Sequence, residues 1–186
     1  MDTIASNEFK ILFTGPMGAG KTTAISAISD QAAVSTDVIN TDLDQCEKEL
    51  TTAALDYGQI ALPDGSCVRL YGTPGQERFR FMWPILMKNA AGVIVLLNGE
   101  HQELEQHLEH FVQAFGEGRT LPMVVGVGRL PEDDHSRLER LAMKLEQRGI
   151  ALPIFDADVR KHDDVLLLVD ALLCLIEAND TGRMEA

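Results

Sequence analysis

Between a short apolar run, KILFT at Lys10 to Thr14, and a helix-like stretch, AISAIS, the chain reads GPMGAGKTT from Gly15 to Thr23. Gly15, Gly20, Lys21 and Thr22 satisfy the pattern G-x-x-x-x-G-K-[ST]. Each residue type has a chemical reason to be there. Glycines let successive backbone N–H groups curl around a phosphate with no side chain in the way. A helix beginning near Lys21 turns its positive dipole end toward the same point. Lys21 reaches outer phosphates as a point charge, and the Thr22 hydroxyl can ligate Mg²⁺. Met17, Gly18, Ala19 and Thr23 complete the loop that would touch a nucleotide. Chance produces this pattern in roughly one chain of this size per couple of hundred, and the strand before it and helix after it make chance rarer.

Such a loop needs elements to hold it. Candidate strands run over Lys10–Thr14, Gln59–Leu62, Ser66–Tyr71, Gly92–Asn98, Met123–Val127 and Pro153–Asp156. The Asp-Gly pair in LPDGS, Leu62 to Ser66, predicts a tight hairpin between the second and third. GVIVLLN and MVVGV are continuously apolar, as strands covered on both faces of a parallel sheet are. Helices are expected over Lys21–Asp30, Glu77–Lys88, Gln102–Phe115, His135–Gln147 and Asp163–Ala178. The alternation predicts an α/β three-layer sandwich, its six-stranded sheet mostly parallel with one antiparallel edge hairpin, and the G-x-x-x-x-G-K-[ST] loop makes it one of the P-loop NTPase kind. The 186 residues fit a single domain, with a core from about 9 to 178.

Apolar residues make up 45% of the chain, which rules out a disordered composition. Acidic side chains outnumber basic ones 29 to 16, for a net charge of -13, which argues against nucleic acid or an anionic membrane as partner. The 3 cysteines, Cys46, Cys67 and Cys174, show no metal or redox spacing and suit a reducing cytoplasm. The start, MDTIASNEF, is unlike a signal peptide, and TGRMEA at the end carries no lipidation motif, so no direct membrane anchor is expected. The longest apolar run, Val165 to Ile176, contains Asp170 and falls short of the roughly twenty residues of a membrane span.

A second segment follows the third strand. Within YGTPGQERFRFMWPILMKNAAGVIVLLN, Thr73, Gly75, Gln76, Glu77, Arg78 and Phe79 resemble the DTAGQERF segment of Ras-like small GTPases. Pro74 is shared with the bacterial gliding-motility and polarity (Mgl-type) branch, and the resemblance extends from Lys10 to about Ala178. It implies GTP and GDP as ligands, Mg²⁺ as cofactor, and slow GTP hydrolysis. Gly75 then matches the glycine whose N–H contacts the γ-phosphate, and Gln76 the glutamine that orients the attacking water. Thr52, four residues before Asp56-Tyr57, resembles the threonine that completes the Mg²⁺ shell; Thr51 is the near alternative. The resemblance further implies a Roadblock/LC7-type activating protein and an effector, with a switch surface around Phe79, Phe81 and Trp83.

The sequence departs from the family at three places. Gly72 stands where the family has an aspartate holding a water of the Mg²⁺ shell, a loss that typically costs about 10–100-fold in metal affinity. Gly128, Arg129 and Pro131 fall where the guanine-reading N-K-x-D has Asn, Lys and Asp, with Glu132 or Asp133 as substitutes on a shifted loop. Asp158, Val159 and Arg160 occupy the third base-contacting loop. Met17 replaces a glycine common in the family, which implies unassisted turnover on the order of 10⁻³ s⁻¹ or less. These departures leave two other readings: a nucleotide-holding scaffold with little hydrolysis, or one that binds ATP. A small-molecule kinase is disfavoured by Gly75-Gln76-Glu77. His107 and His110, three apart in HQELEQHLEH, could grip a metal, but no third ligand lies at i+4 and a solvated helix face is expected.

Overall fold

The structure, a computed structural model, describes residues 8–30, 34–37, 54–62, 65–116, 121–131 and 136–184. Thr51, Thr52, Cys46, Glu132, Asp133 and the expected helix start at His135 lie outside them.

A 7-stranded sheet runs in the order β2-β3-β4-β1-β5-β6-β7. Its strands are β1 (Glu8–Thr14), β2 (Val34–Asp37), β3 (Ala54–Ala61), β4 (Cys67–Gly72), β5 (Gly92–Asn98), β6 (Met123–Gly128) and β7 (Ile154–Asp156). β1 lies between β4 and β5, parallel to both, and β5, β6 and β7 continue in parallel. The loops after β1, β4, β5, β6 and β7 therefore open along one carboxyl edge, where open α/β sheets place their ligands. β3 runs the other way, so its beginning reaches that same edge.

The helices are α1 (Lys21–Ile28), α2 (Trp83–Met87), α3 (Leu104–Gly116), α4 (Ser136–Glu146) and α5 (His162–Met184). α1 and α5 cover one face of the sheet through a cluster built on Ile11, Phe13, Ile25, Leu70, Leu168 and Leu172. The other face carries Leu12, Val95, Trp83, Leu108, Phe115 and Leu141 beneath α2, α3 and α4. Alternate residues of β5 thus enter opposite cores, and six consecutive positions from Gly92 to Leu97 are buried. That is why its sequence is apolar throughout rather than alternating. Among the described residues, no helix is long and apolar enough to cross a membrane.

The expected hairpin is present: Leu62 N–H donates to Ser66 O, and Gly65 turns the chain at φ +84°. Three expectations need correction. The sheet has a strand more than expected, β2, which reads VSTD and offers no apolar run; it exists by antiparallel pairing with β3. β3 begins at Ala54 rather than Gln59. Asp56 and Gly58 are poor strand formers, yet a Cβ at Gly58 would lie 2.6 Å from Ile25 Cγ2, so close packing of α1 requires the glycine. Finally, the helix expected over Glu77–Lys88 is a 3₁₀ helix, Glu77–Met82, followed by the short α2. Pro84 lacks the N–H that a continuous α-helix would bond to Arg80 O.

Phe115 is fully buried and its ring centroid lies 5.1 Å from that of Trp83. Phe115→Ala is expected to cost about 3–5 kcal/mol in denaturant unfolding, with a shift in native Trp83 emission. A loss below about 1 kcal/mol would contradict this packing.

Candidate functional site

The loop between β1 and α1 is held by glycines in conformations that side chains resist. Gly15 (φ +141°) packs so closely on β5 that a Cβ there would collide with the Leu96 carbonyl oxygen. Gly18 has φ +78°, and Gly20 caps α1 at φ +93°. Ala19 is buried, its N–H donating to Pro16 O at 3.2 Å, while Met17 projects with 72% exposure. The first turn of α1 has no acidic residue and no side-chain cap, so no side chain of the helix itself occupies its backbone N–H groups. Thr23 is exposed in that turn.

Lys21 is buried to 8% exposure, and its Nζ donates to Gly15 O and Pro16 O, each at 2.8 Å. Burial pushes its ammonium down to about 8, and the nearby Asp56 carboxylate opposes that shift. The charge is thus pre-aimed into a loop of amides, a place a polyphosphate would reward.

Thr22 Oγ1 donates to Asp56 Oδ2 at 2.6 Å. Asp56 lies on β3 directly opposite Gly72 on β4. A Cβ at Gly72 would sit 2.9 Å from Asp56 Oδ2 and 3.0 Å from its Cβ, so the Asp56 carboxylate fills the space that a side chain at 72 would need. Sequence reading noted both residues without joining them. The signal was available: counting back along both strands from the Leu62–Ser66 turn pairs 56 with 72. Next to Gly72, buried Thr73 ties the strand ends together, its Oγ1 donating to Thr14 Oγ1 at 2.8 Å and its N–H to Phe13 O at 2.8 Å.

Gly75 lies over the loop. A Cβ there would meet Lys21 Nζ and the Met17 nitrogen, both at 2.7 Å. Gln76 is exposed, its Nε2 donating to Met17 Sδ at 3.5 Å. The Trp83 indole N–H donates to Pro74 O at 3.3 Å and so fastens this segment to the interior. The expected surface around Phe79, Phe81 and Trp83 is corrected in part. Phe79 (7% exposed) and Trp83 (2%) belong to the core, whereas Phe81 and Ile85 stand out at 63% each. A 3₁₀ run places residues three apart on one side, so Phe79 turns inward and Phe81 outward.

Two more loops meet beside α1. Gly128 ends β6, and Arg129 adopts φ +55°. Ala157 N–H donates to Val127 O, and a Cβ at Gly128 would lie 3.0 Å from Ala157 O. Val159 abuts the phosphate-loop end, 2.7 Å from where a Cβ on Gly20 would be. Arg160 grips Asp158 through both carboxylate oxygens at 2.8 Å, and its side-chain hydrogen bonds hold the Asp158 carboxyl down to about 2. Val159 thus touches the loop between β1 and α1, and Gly128 touches the segment that carries Val159. The second metal ligand expected, Thr52, lies outside the described residues.

No family model matches the chain. Over 177 residues it is 25% identical to the Ras-related protein Rab-27A of Sus scrofa, covering 90% of this chain and 77% of that one. An uncharacterized protein, MJ1339 of Methanocaldococcus jannaschii, is 29% identical over 92 residues, 50% of this chain and 52% of its own length. A crystal structure of the bacterial selenocysteine-specific elongation factor EF-Sec superposes with a TM-score of 0.68 over 91% of this chain and 29% of that one, at 17% identity. The fold is the P-loop NTPase three-layer sandwich, mostly parallel in its sheet. The chain spans only about half the length of MJ1339 and less than a third of the elongation factor.

Gly15→Ala and Gly18→Ala separate collision from conformation. Nothing lies within 4 Å of a Cβ at Gly18, so that variant should lose about 1–2 kcal/mol from positive φ alone. Gly15→Ala adds a clash with backbone and should lose about 4 kcal/mol or more. Urea unfolding of the two chains checks the order.

Proposed function

We propose that the chain binds GTP and GDP with Mg²⁺ at Gly15–Thr23 and serves as a molecular switch, hydrolysing GTP slowly until a partner stimulates it. One observation carries this reading: the Gly75 backbone rests against Lys21 and Met17, where the terminal phosphate of a nucleotide held by the loop would reach. A segment so placed must move when that phosphate arrives, which is the physical content of a phosphate-sensing switch. Likeness to Rab-27A over nearly the whole chain supports the same reading.

In this reading each residue has a task. The loop N–H groups and Lys21 bind the phosphates. Gln76 turns from Met17 to orient a water for attack. Gly128, Arg129, Asp158 and Val159 flank the base. Mg²⁺, when bound, neutralises charge building on the phosphate oxygens. Thr22 and Thr52 hold it, and Asp56 supplies from β3 the carboxylate that the family takes from the position of Gly72. The Thr22–Asp56 hydrogen bond supports this assignment, since two oxygens suited to a hard cation already converge there. Membership of the Mgl-type branch, bacterial signalling in the cytoplasm, and stimulation by a Roadblock/LC7-type protein belong to the proposal, with Phe81 and Ile85 as the apolar contacts for that partner or an effector. A nucleotide-holding scaffold is the second reading. It is favoured by Gln76, whose amide faces the Met17 thioether.

The nucleotide that copurifies with the chain tests the proposal. GDP or GTP is expected at near one per chain, and Lys21→Ala should retain under a tenth of it while remaining folded. Adenine nucleotide, or equal retention by Lys21→Ala, would overturn the guanine or the phosphate assignment respectively.

Asp56→Asn should weaken Mg²⁺-dependent nucleotide retention by about 10–100-fold. Moving the carboxylate, as in Asp56→Gly with Gly72→Asp, should recover most of the loss. Mg²⁺ titration of nucleotide release reads both, and an Asp56→Asn chain with unchanged Mg²⁺ dependence would remove Asp56 from the metal site.

A further inference from the structure

The turn after β5 and the first turns of α3 gather three side chains that the nucleotide site does not use. The ligand atoms of His101, Glu103 and His107 all lie within 4.8 Å of one another. The two imidazole rings are tilted at 45° with centroids 4.5 Å apart. Backbone bonds fix the trio. His101 N–H donates to Asn98 O at 3.1 Å, Leu104 N–H to His101 O at 3.3 Å, and His107 N–H to Glu103 O at 2.9 Å. Glu103 N–H also donates to His101 Nδ1 at 3.1 Å, which sets the ring. His101 and Glu103 are exposed and His107 is half-buried, so the open side admits water as further ligands.

The helical pair His107 and His110, suggested by spacing, is not the site. His110 turns toward Glu77, with Nε2 2.8 Å from its Oε1, and packs on Trp83. His101 and Glu103 come instead from the turn before α3; Glu103 stands four residues before His107, and only His101 is beyond the reach of helical spacing.

We propose that His101, Glu103 and His107 form a binding site for a divalent transition-metal ion, of which Zn²⁺ is the type. Two imidazole nitrogens and one carboxylate oxygen with open positions suit Zn²⁺ and its neighbours, whereas Mg²⁺ and Ca²⁺ seek all-oxygen shells. Ligands sharing a tetrahedral Zn²⁺ at about 2.0–2.1 Å stand roughly 3.3 Å apart, so side-chain rotations must close the trio by about 1.5 Å or less. Binding exchanges the Glu103 N–H bond to His101 for a coordinate bond. Nearby charge is mixed. Glu100 and Glu105 favour a cation, and Glu105 is shared with Lys144. Arg137 and Arg140 line the adjoining depression and oppose one. The ion would pin the 98–103 turn to α3, directly after the strand whose Leu96 carbonyl supports Gly15.

The test is Zn²⁺ titration of the full chain against a chromophoric chelator, in a large excess of Mg²⁺. One equivalent is expected to bind, and His101→Gln and His107→Gln should each weaken it about tenfold or more, since even outer-shell losses cost that much. His110→Gln should bind as the parent does, and Trp83 emission confirms that each variant is folded. Absence of chelator-competitive uptake overturns the proposal. So does unchanged binding in His107→Gln, or uptake abolished only by alkylating the cysteines.

Discussion

Lys21 holds a positive charge inside a ring of backbone. Its ammonium is buried, and the described contacts that satisfy it are two carbonyls of its own loop. Taking a charge out of water is costly unless it is paired, and burial lowers the lysine to about 8. The surrounding structure sustains this arrangement. Gly15 must press on Leu96 of β5, Thr73 must tie β4 to β1, and Gly20 must open α1 in a left-handed turn.

The second constraint is steric and crosses strands. Gly72 leaves room that Asp56 fills from the antiparallel neighbour. A side chain returned to position 72 would collide with it, so the two positions are one site written on two strands. The carboxylate that fills this space also accepts the hydrogen bond of the Thr22 hydroxyl.

The sequence shows some of this plainly. The loop between β1 and α1 could be read residue by residue because its pattern is local: glycines, a lysine and a hydroxyl in one turn of chain. The β3–β4 hairpin was legible from Asp-Gly, and β5 and β6 from unbroken apolar runs. Strand β2 was not, because VSTD becomes a strand only through its partner. The Asp56–Gly72 exchange depended on strand register, and the inward turn of Trp83 on a 3₁₀ segment that replaces the expected helix. His101 joining His107 was hidden for the same reason: the contact is made by a turn between elements, not within one.

The indole of Trp83 has one end in the apolar layer and the other bonded to Pro74, next to the glycine that rests on Lys21. Any displacement of that glycine therefore tugs on an aromatic plug seated among Phe111 and Phe115. Substitutions deep under α3 would therefore be felt at the carboxyl rim through Trp83 and Pro74. Selection acting on that rim would leave its imprint on interior rings that look like mere filling.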